Sequence, residues 1–336
     1  MMLNTVAARG ARKISSRVVI VALCGLMPWF ATPAQAQGTA QDYPNRPVRF
    51  IVPHTPGSLV DTFSRSLAQH LSERLGRPVV IDNRPGASQA IGAELAARSA
   101  PDGYTIFLGT QVGLVLNGIT RKNLPYDTLR DFAPISLLFM TRMYLLVHSS
   151  VPAKSVQEVV ALARSRPGKL SYASIGVGSS SHLAMELFKS TMKINILHVP
   201  YKGQAQATAD VLAGHVDMMF SVSALSSGKL RVLAYAGQNR SVAMPSVPTM
   251  NEAGVTGFDV SSWFSVVAPA GVPRPIIERL NHDIVDILRS PPIRKQAAAD
   301  GTIELSPSTP EELTEHIRSQ IPFWAKIVRD AGIQPE

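Results

Sequence analysis

A chain of 336 residues with 45% hydrophobic and 17% charged side chains is too apolar to be disordered and long enough for two domains of ordinary size. A single cysteine excludes a disulfide framework. The formal charge of +9 owes four basic residues to the first 36 positions, which hold no acid; the remaining 29 basic and 24 acidic residues leave a mild +5, and no basic run or basic–aromatic stripe points to nucleic acid.

Taken in chain order, residues 1–17 carry Arg9, Arg12, Lys13 and Arg17. Val18 to Phe30 is apolar, and Ala34-Gln35-Ala36 has the small-residue pattern of a cleavage site. This order predicts a secretory signal peptide over residues 1–36, cut after Ala36, and an exported protein. A retained N-terminal anchor is the alternative, but the apolar stretch is short and interrupted by Pro28. Leu23 precedes the lone Cys24 where a lipid-attachment motif wants a small residue, so the mature chain has no thiol.

Val48 to Val52 reads as a buried strand. Leu59, Phe63, Leu67, Leu71 and Leu75 then recur at every fourth position, with Val60 beside them, as one apolar helix stripe stopped by Gly76. Pro78 to Asp82 is the next strand, Ala90 to Arg98 a helix, and Tyr104 to Leu108 a third strand. Alternation at this spacing predicts an α/β fold with a parallel sheet. Ile135 to Phe139 and Tyr144 to His148 follow as apolar runs, and Ser155 with Glu158 predicts a capping box. Strands are expected at Leu170 to Ser174, Val216 to Phe220, Leu230 to Ala236 and Phe264 to Pro269. Helices are expected at Ser179 to Met192, Ala205 to Ala213, along the stripe from Ile276 to Leu288, and after Thr309, where Glu312 completes a second capping box. Without a low-complexity linker, two domains are expected to be joined by crossing strands.

Two loops share one design. Residues 53–61, PHTPGSLVD, and residues 173–182, ASIGVGSSSH, each end a strand, free the backbone with glycine and place a serine at a helix start. Helix N-termini carry unpaired N–H groups and partial positive charge, which suits carboxylate or phosphate. Each residue also has a plainer role. Ser58 and Ser179 fit helix caps as well as ligand donors. His182 fits a packed histidine, His54 a strand end, and Asp61 the acid favoured in a first helical turn. Arg84, in the Asn83-Arg84-Pro85-Gly86 turn, fits a solvated side chain. Gly176-x-Gly178 is too short for a dinucleotide fingerprint, and no cofactor or metal site is read from the sequence. Ser179, His182 and Asp61 could be assembled into a hydrolytic triad, but no nucleophile-elbow motif is present, and a triad is recognised by geometry.

Several stretches in order, YPNRPVRFIVPHTPGSLVD, VIDNRPGAS, APDGYTIFLGT, LPYDTLRDFAPIS, HVPYKG, GKLRVLAYAG and SSWFSVVAPAGVP, resemble the Bug family of periplasmic solute receptors, the tripartite tricarboxylate transporter receptors. The resemblance runs from about Tyr43 to Ile333. It implies a type II periplasmic-binding-protein fold in which two α/β domains, residues 37–140 with 240–336 and residues 141–239, close on a small carboxylate. It also implies a monomer that binds without chemistry and that hands its solute to a membrane permease or a sensor. The segments it places at the cleft are His54, Thr55, Pro56, Gly57, Ser58 and Asp61; Thr110; Ser174, Gly178, Ser179 and His182; and Tyr201, Lys202 and Gly203. Against the family pattern, His54 stands for an aromatic residue and Ser58 for the second glycine of the first loop. Gln204 stands for a glycine, Ser221 for an aspartate, and the segment Ser221 to Gly228 is several residues short.

Overall fold

The apolar run at Val48 alternates between two cores. The computed structural model describes residues 43–222, 228–258 and 260–335; the expected signal peptide and most of the segment from Ser221 to Gly228 lie outside them. In β1 (Val48–Val52), Val48, Phe50 and Val52 pack with Phe63, Leu67 and Leu71 of α1 (Leu59–Leu75), while Ile51 turns to the opposite core with Ala93 of α2 (Ala90–Ala97). A strand covered on both faces is mostly apolar; the exception is Arg49, half-buried and paired with Asp82 of the neighbouring strand. The α1 stripe begins one residue later than its spacing suggests: Leu59 is 38% exposed and Val60 is buried in its place.

The first sheet has the order β11-β4-β10-β3-β1-β2, adding β2 (Val79–Asn83), β3 (Thr105–Thr110), β4 (Phe132–Arg142), β10 (Ser261–Pro269) and β11 (Ile303–Leu305). The sheet is parallel only where strand–helix–strand units build it, β1 with β2 and β3. Strand β10 runs antiparallel to both β3 and β4, so the expectation of a parallel sheet gives way to a mixed one. The chain reaches β10 on its return from the second sheet and therefore enters from the opposite end.

That second sheet has the order β7-β6-β8-β5-β9, from β5 (Tyr144–His148), β6 (Ser171–Ser174), β7 (Leu197–Pro200), β8 (Met218–Ser221) and β9 (Leu230–Tyr235). Only Met143 separates β4 from β5, so one extended run passes from sheet to sheet. After β9, Thr249 bridges back to Tyr235, and the Tyr144 hydroxyl meets Ser241 at 2.6 Å. The helices that matter most are α6 (Ser180–Met192), α7 (Gln204–Ala213), α8 (Arg274–Arg289) and the C-terminal helix (Pro310–Asp330), whose Trp324 is buried in the core shared by Phe107, Leu145 and Tyr172. The capping box at Thr309 and Glu312 forms in full. At Ser155 only half of it does: the serine accepts from Glu158 N–H, but the Glu158 carboxylate takes Lys154 N–H at 2.7 Å. Among the described residues no helix is long and apolar enough to cross a membrane.

Candidate functional site

Both loops are built by the same local chemistry. Ser58 caps α1 by accepting from Asp61 N–H at 3.2 Å, and Ser179 caps α6 by accepting from His182 N–H at 3.3 Å. The residue three places on then reaches back. Asp61 Oδ2 accepts from Gly57 N–H at 2.9 Å, and His182 Nδ1 accepts from Gly178 N–H at 3.0 Å. Both glycines hold a left-handed backbone, with φ of 81° and 73°, which lets the N–H point into the box.

The acceptors differ in charge. The Asp61 carboxylate is 1% exposed and is also met by Arg65 at 2.9 Å and by Asn83 at 2.7 Å. Burial pushes its pKa up, but the hydrogen bonds from Arg65, Asn83 and Gly57 outweigh that and hold it below the ordinary carboxylate value. With these donors in place, Asp61 organises the first loop. His182 is held neutral, its pKa lowered to about 4 by burial and by its neighbour His198 against the pull of Glu186. His182, His198 and Tyr172 form a stack with ring centroids 4.1 and 4.8 Å apart. Tyr172 donates to Glu186 at 2.5 Å, and Lys189 lies 2.6 Å from the same carboxylate.

The remaining residues of the second loop are similarly engaged. Ser174 Oγ meets His198 Nε2 at 2.7 Å and donates to Gly176 carbonyl oxygen at 3.1 Å. Ser179 Oγ donates to that carbonyl at 2.6 Å. No side-chain bond joins Ser179 to the His182 ring, and Asp61 serves Gly57, Arg65 and Asn83, so the hydrolytic triad is not assembled. Tyr201 donates to Asp210 at 2.7 Å, Lys202 is exposed, and Gly203 opens α7. Two departures from the family pattern meet each other: Gln204 Nε2 lies 3.4 Å from Ser221 Oγ.

Among the described residues no hydrogen bond joins the two loops. Of the residues that link them, the sequence singled out Thr110 but neither Gln89 nor Gln111. Gln89 sits 3.3 Å from His54 and accepts a hydrogen bond from Thr110, whose neighbour Gln111 accepts from Ser180 at 3.2 Å. Gln111 in turn donates to Ser261 carbonyl oxygen at 2.8 Å. Gln89 ends a run of three non-glycine residues, Ala87 to Gln89, with φ of 46°, 50° and 73°. Such a run is unfavourable unless its surroundings impose it. Here Arg121 donates to the Ala87 carbonyl and Asn117 to the Ser88 carbonyl, both at 2.9 Å. Beside this run a cavity of about 260 Å³ is lined by Ser88, Asn117 and Thr120 on one side and by Gly178, Ser179 and Ser180 on the other; His54 to Ser58 are not in its wall. The sequence signal for Gln89 was its place three residues after Gly86 of the Asn83-Arg84-Pro85-Gly86 turn, but a turn does not say which neighbour its side chain will meet.

Two mixed sheets, each with helices packed on it and joined by a continuous strand, with paired helix-start loops, define a type II periplasmic-binding-protein fold. The chain belongs to the tripartite tricarboxylate transporter receptor family, whose profile it matches over residues 63–333. It is 36% identical over 300 residues to the protein BugT of Bordetella pertussis, covering 88% of this chain and 92% of that one. Among solved structures it is similar to Rpa4515 of R. palustris with adipate, at 35% identity and a TM-score of 0.77, covering 88% of this chain and all of the other. It is also similar to MatC of Rhodopseudomonas palustris with bound malate, at 30% identity and a TM-score of 0.71, covering 85% and 100%. The family is described as a receptor of a transporter.

Proposed function

We propose that this protein is an exported receptor that captures a small carboxylate, a di- or tricarboxylic or aromatic acid, between the loops at 54–61 and 174–182, and performs no chemistry on it. The observation that carries the reading is the matched pair of capped helix starts, each preceded by a glycine, bridged by Gln89, Thr110 and Gln111. Helix N-termini in that arrangement offer oriented donors and positive potential to an acid group. The adipate and malate seen with two relatives support the class of ligand. Residues 37–140 with 240–336, and 141–239, would act as two lobes that close over the acid, the ligand drawing the population toward the closed state by its preference for it. The absence of a base bonded to Ser179 favours binding over hydrolysis. The family's description as a transporter receptor supports delivery to a membrane permease; presentation to a signalling partner is the second reading.

The test is calorimetry and thermal unfolding of the processed chain with adipate, malate, citrate and benzoate. At least one acid is expected to bind one-to-one and, at a hundred times its Kd, to raise stability by about 2.7 kcal/mol. A panel of acids with no heat and no thermal shift would overturn the assignment.

A further inference from the structure

His54 is where this chain departs from the aromatic residue of its family's first loop, and its hydrogen-bond partners fix its protonation. The relay starts at Gly113. A backbone N–H can only donate, and that of Gly113 donates to Thr110 Oγ1 at 3.0 Å. The single hydroxyl proton of Thr110 is therefore directed to its other partner, Gln89 Oε1. With its oxygen facing Thr110, Gln89 presents its amide NH2 to His54, and Nε2 of the amide lies 3.3 Å from Nε2 of the ring. That ring nitrogen must accept, so it carries no proton. The imidazole is neutral: burial lowers its pKa to about 4 despite the pull of Asp61, and a proton on Nε2 would face the donors of Gln89. The proton of the neutral ring is therefore on Nδ1. Among the described residues Nδ1 meets no acceptor, and it is not sealed from solvent.

We propose that His54 is a specificity-determining residue, a neutral Nδ1–H donor locked in place by the relay Gly113–Thr110–Gln89, and that it selects acids carrying a second oxygen acceptor beyond the carboxylate held at the helix starts. This rests on the receptor reading above. Gln89 and Thr110 are positioning residues: they set the tautomer without needing to touch the ligand. The strained backbone at Ala87 to Gln89 is what delivers the Gln89 amide to this spot. A neutral donor suits a hydroxyl, carbonyl or carboxylate oxygen and rejects an alkyl terminus, because an apolar end would leave the N–H desolvated and unpaired.

The experiment has a spectroscopic arm and a binding arm. In the full processed chain labelled with nitrogen-15 histidine, His54 Nε2 is expected to show the signature of an unprotonated nitrogen at pH 7. In Gln89→Glu, whose carboxylate can only accept, the same nitrogen is expected to become protonated. In the binding arm, adipate is expected to bind about tenfold more tightly than hexanoate, and His54→Phe to remove that preference. A protonated Nε2 in the unsubstituted protein, or a His54→Phe variant that keeps the adipate preference, would overturn the proposal. If neither of these acids binds, and malate, citrate and benzoate do not bind either, the receptor reading fails instead, and the nitrogen-15 spectra still decide the tautomer.

Discussion

The loops that open α1 and α6 are two solutions to one problem. Each must satisfy the N–H groups at a helix start and hold a glycine in a left-handed conformation, and each does so with a serine cap and a side chain reaching back from the third helical position. The first uses a buried carboxylate, which needs three further supports, Arg65, Asn83 and the glycine itself, to offset its desolvation. The second uses a neutral imidazole, which needs only a stack of rings to place it. A charged acceptor makes a strong box and a costly one to disturb; a neutral acceptor makes a weaker one that a single proton can open.

The largest expected break comes from the charged side. Asp61→Ala should lower stability by about 3 kcal/mol in chemical denaturation, because it removes the buried acceptor shared by Gly57 N–H, Asn83 and Arg65. Asp61→Asn should cost less, since one acceptor oxygen survives; equal losses would mean that packing rather than the carboxylate holds the loop.

Acid should separate the two boxes by pH. A histidine whose folded pKa is depressed binds its proton more readily in the unfolded chain, so its contribution is full above 6.5 and is lost as pH falls toward about 4. His182 alone should account for on the order of 3 kcal/mol across that window, and His54 titrates in the same range. The Asp61 contribution is lost only below the ordinary carboxylate value of 3.8. His182→Asn keeps an oxygen acceptor for Gly178 without titrating, and should flatten the stability profile between these limits by one proton's slope; an unchanged slope would remove the imidazole from the box.

The serines should give the smaller and more symmetric effect. Ser58→Ala and Ser179→Ala are each expected to cost about 1 kcal/mol, and their near-equality in thermal unfolding would confirm that the caps are the shared part of the design. Lys202→Ala, at an exposed position, should stay within about 0.5 kcal/mol.

Much of this pairing could be read before the structure was known. A strand ending in glycine and serine ahead of a helical stripe names its own turn, and Ser58 and Ser179 cap where their spacing says. The partners could not be read in the same way. Nothing local says that Asn83, across the sheet, meets Asp61, or that His198, from the next strand, stacks on His182. Gln89 is the sharpest case, since its side chain links two segments that are 35 and 21 residues away.

The sequence by itself determined most of the elements, the caps at Ser58, Ser179 and Thr309, the α/β class and the family, because apolar period, glycine conformation and hydroxyl capping act over a few residues. Only the tertiary structure decided the antiparallel return of β10, the commitment of Asp61 to its own loop and the bridge through Gln89. Those depend on which distant groups arrive within hydrogen-bonding reach, and directional bonds formed over three ångströms leave no periodic trace along a chain.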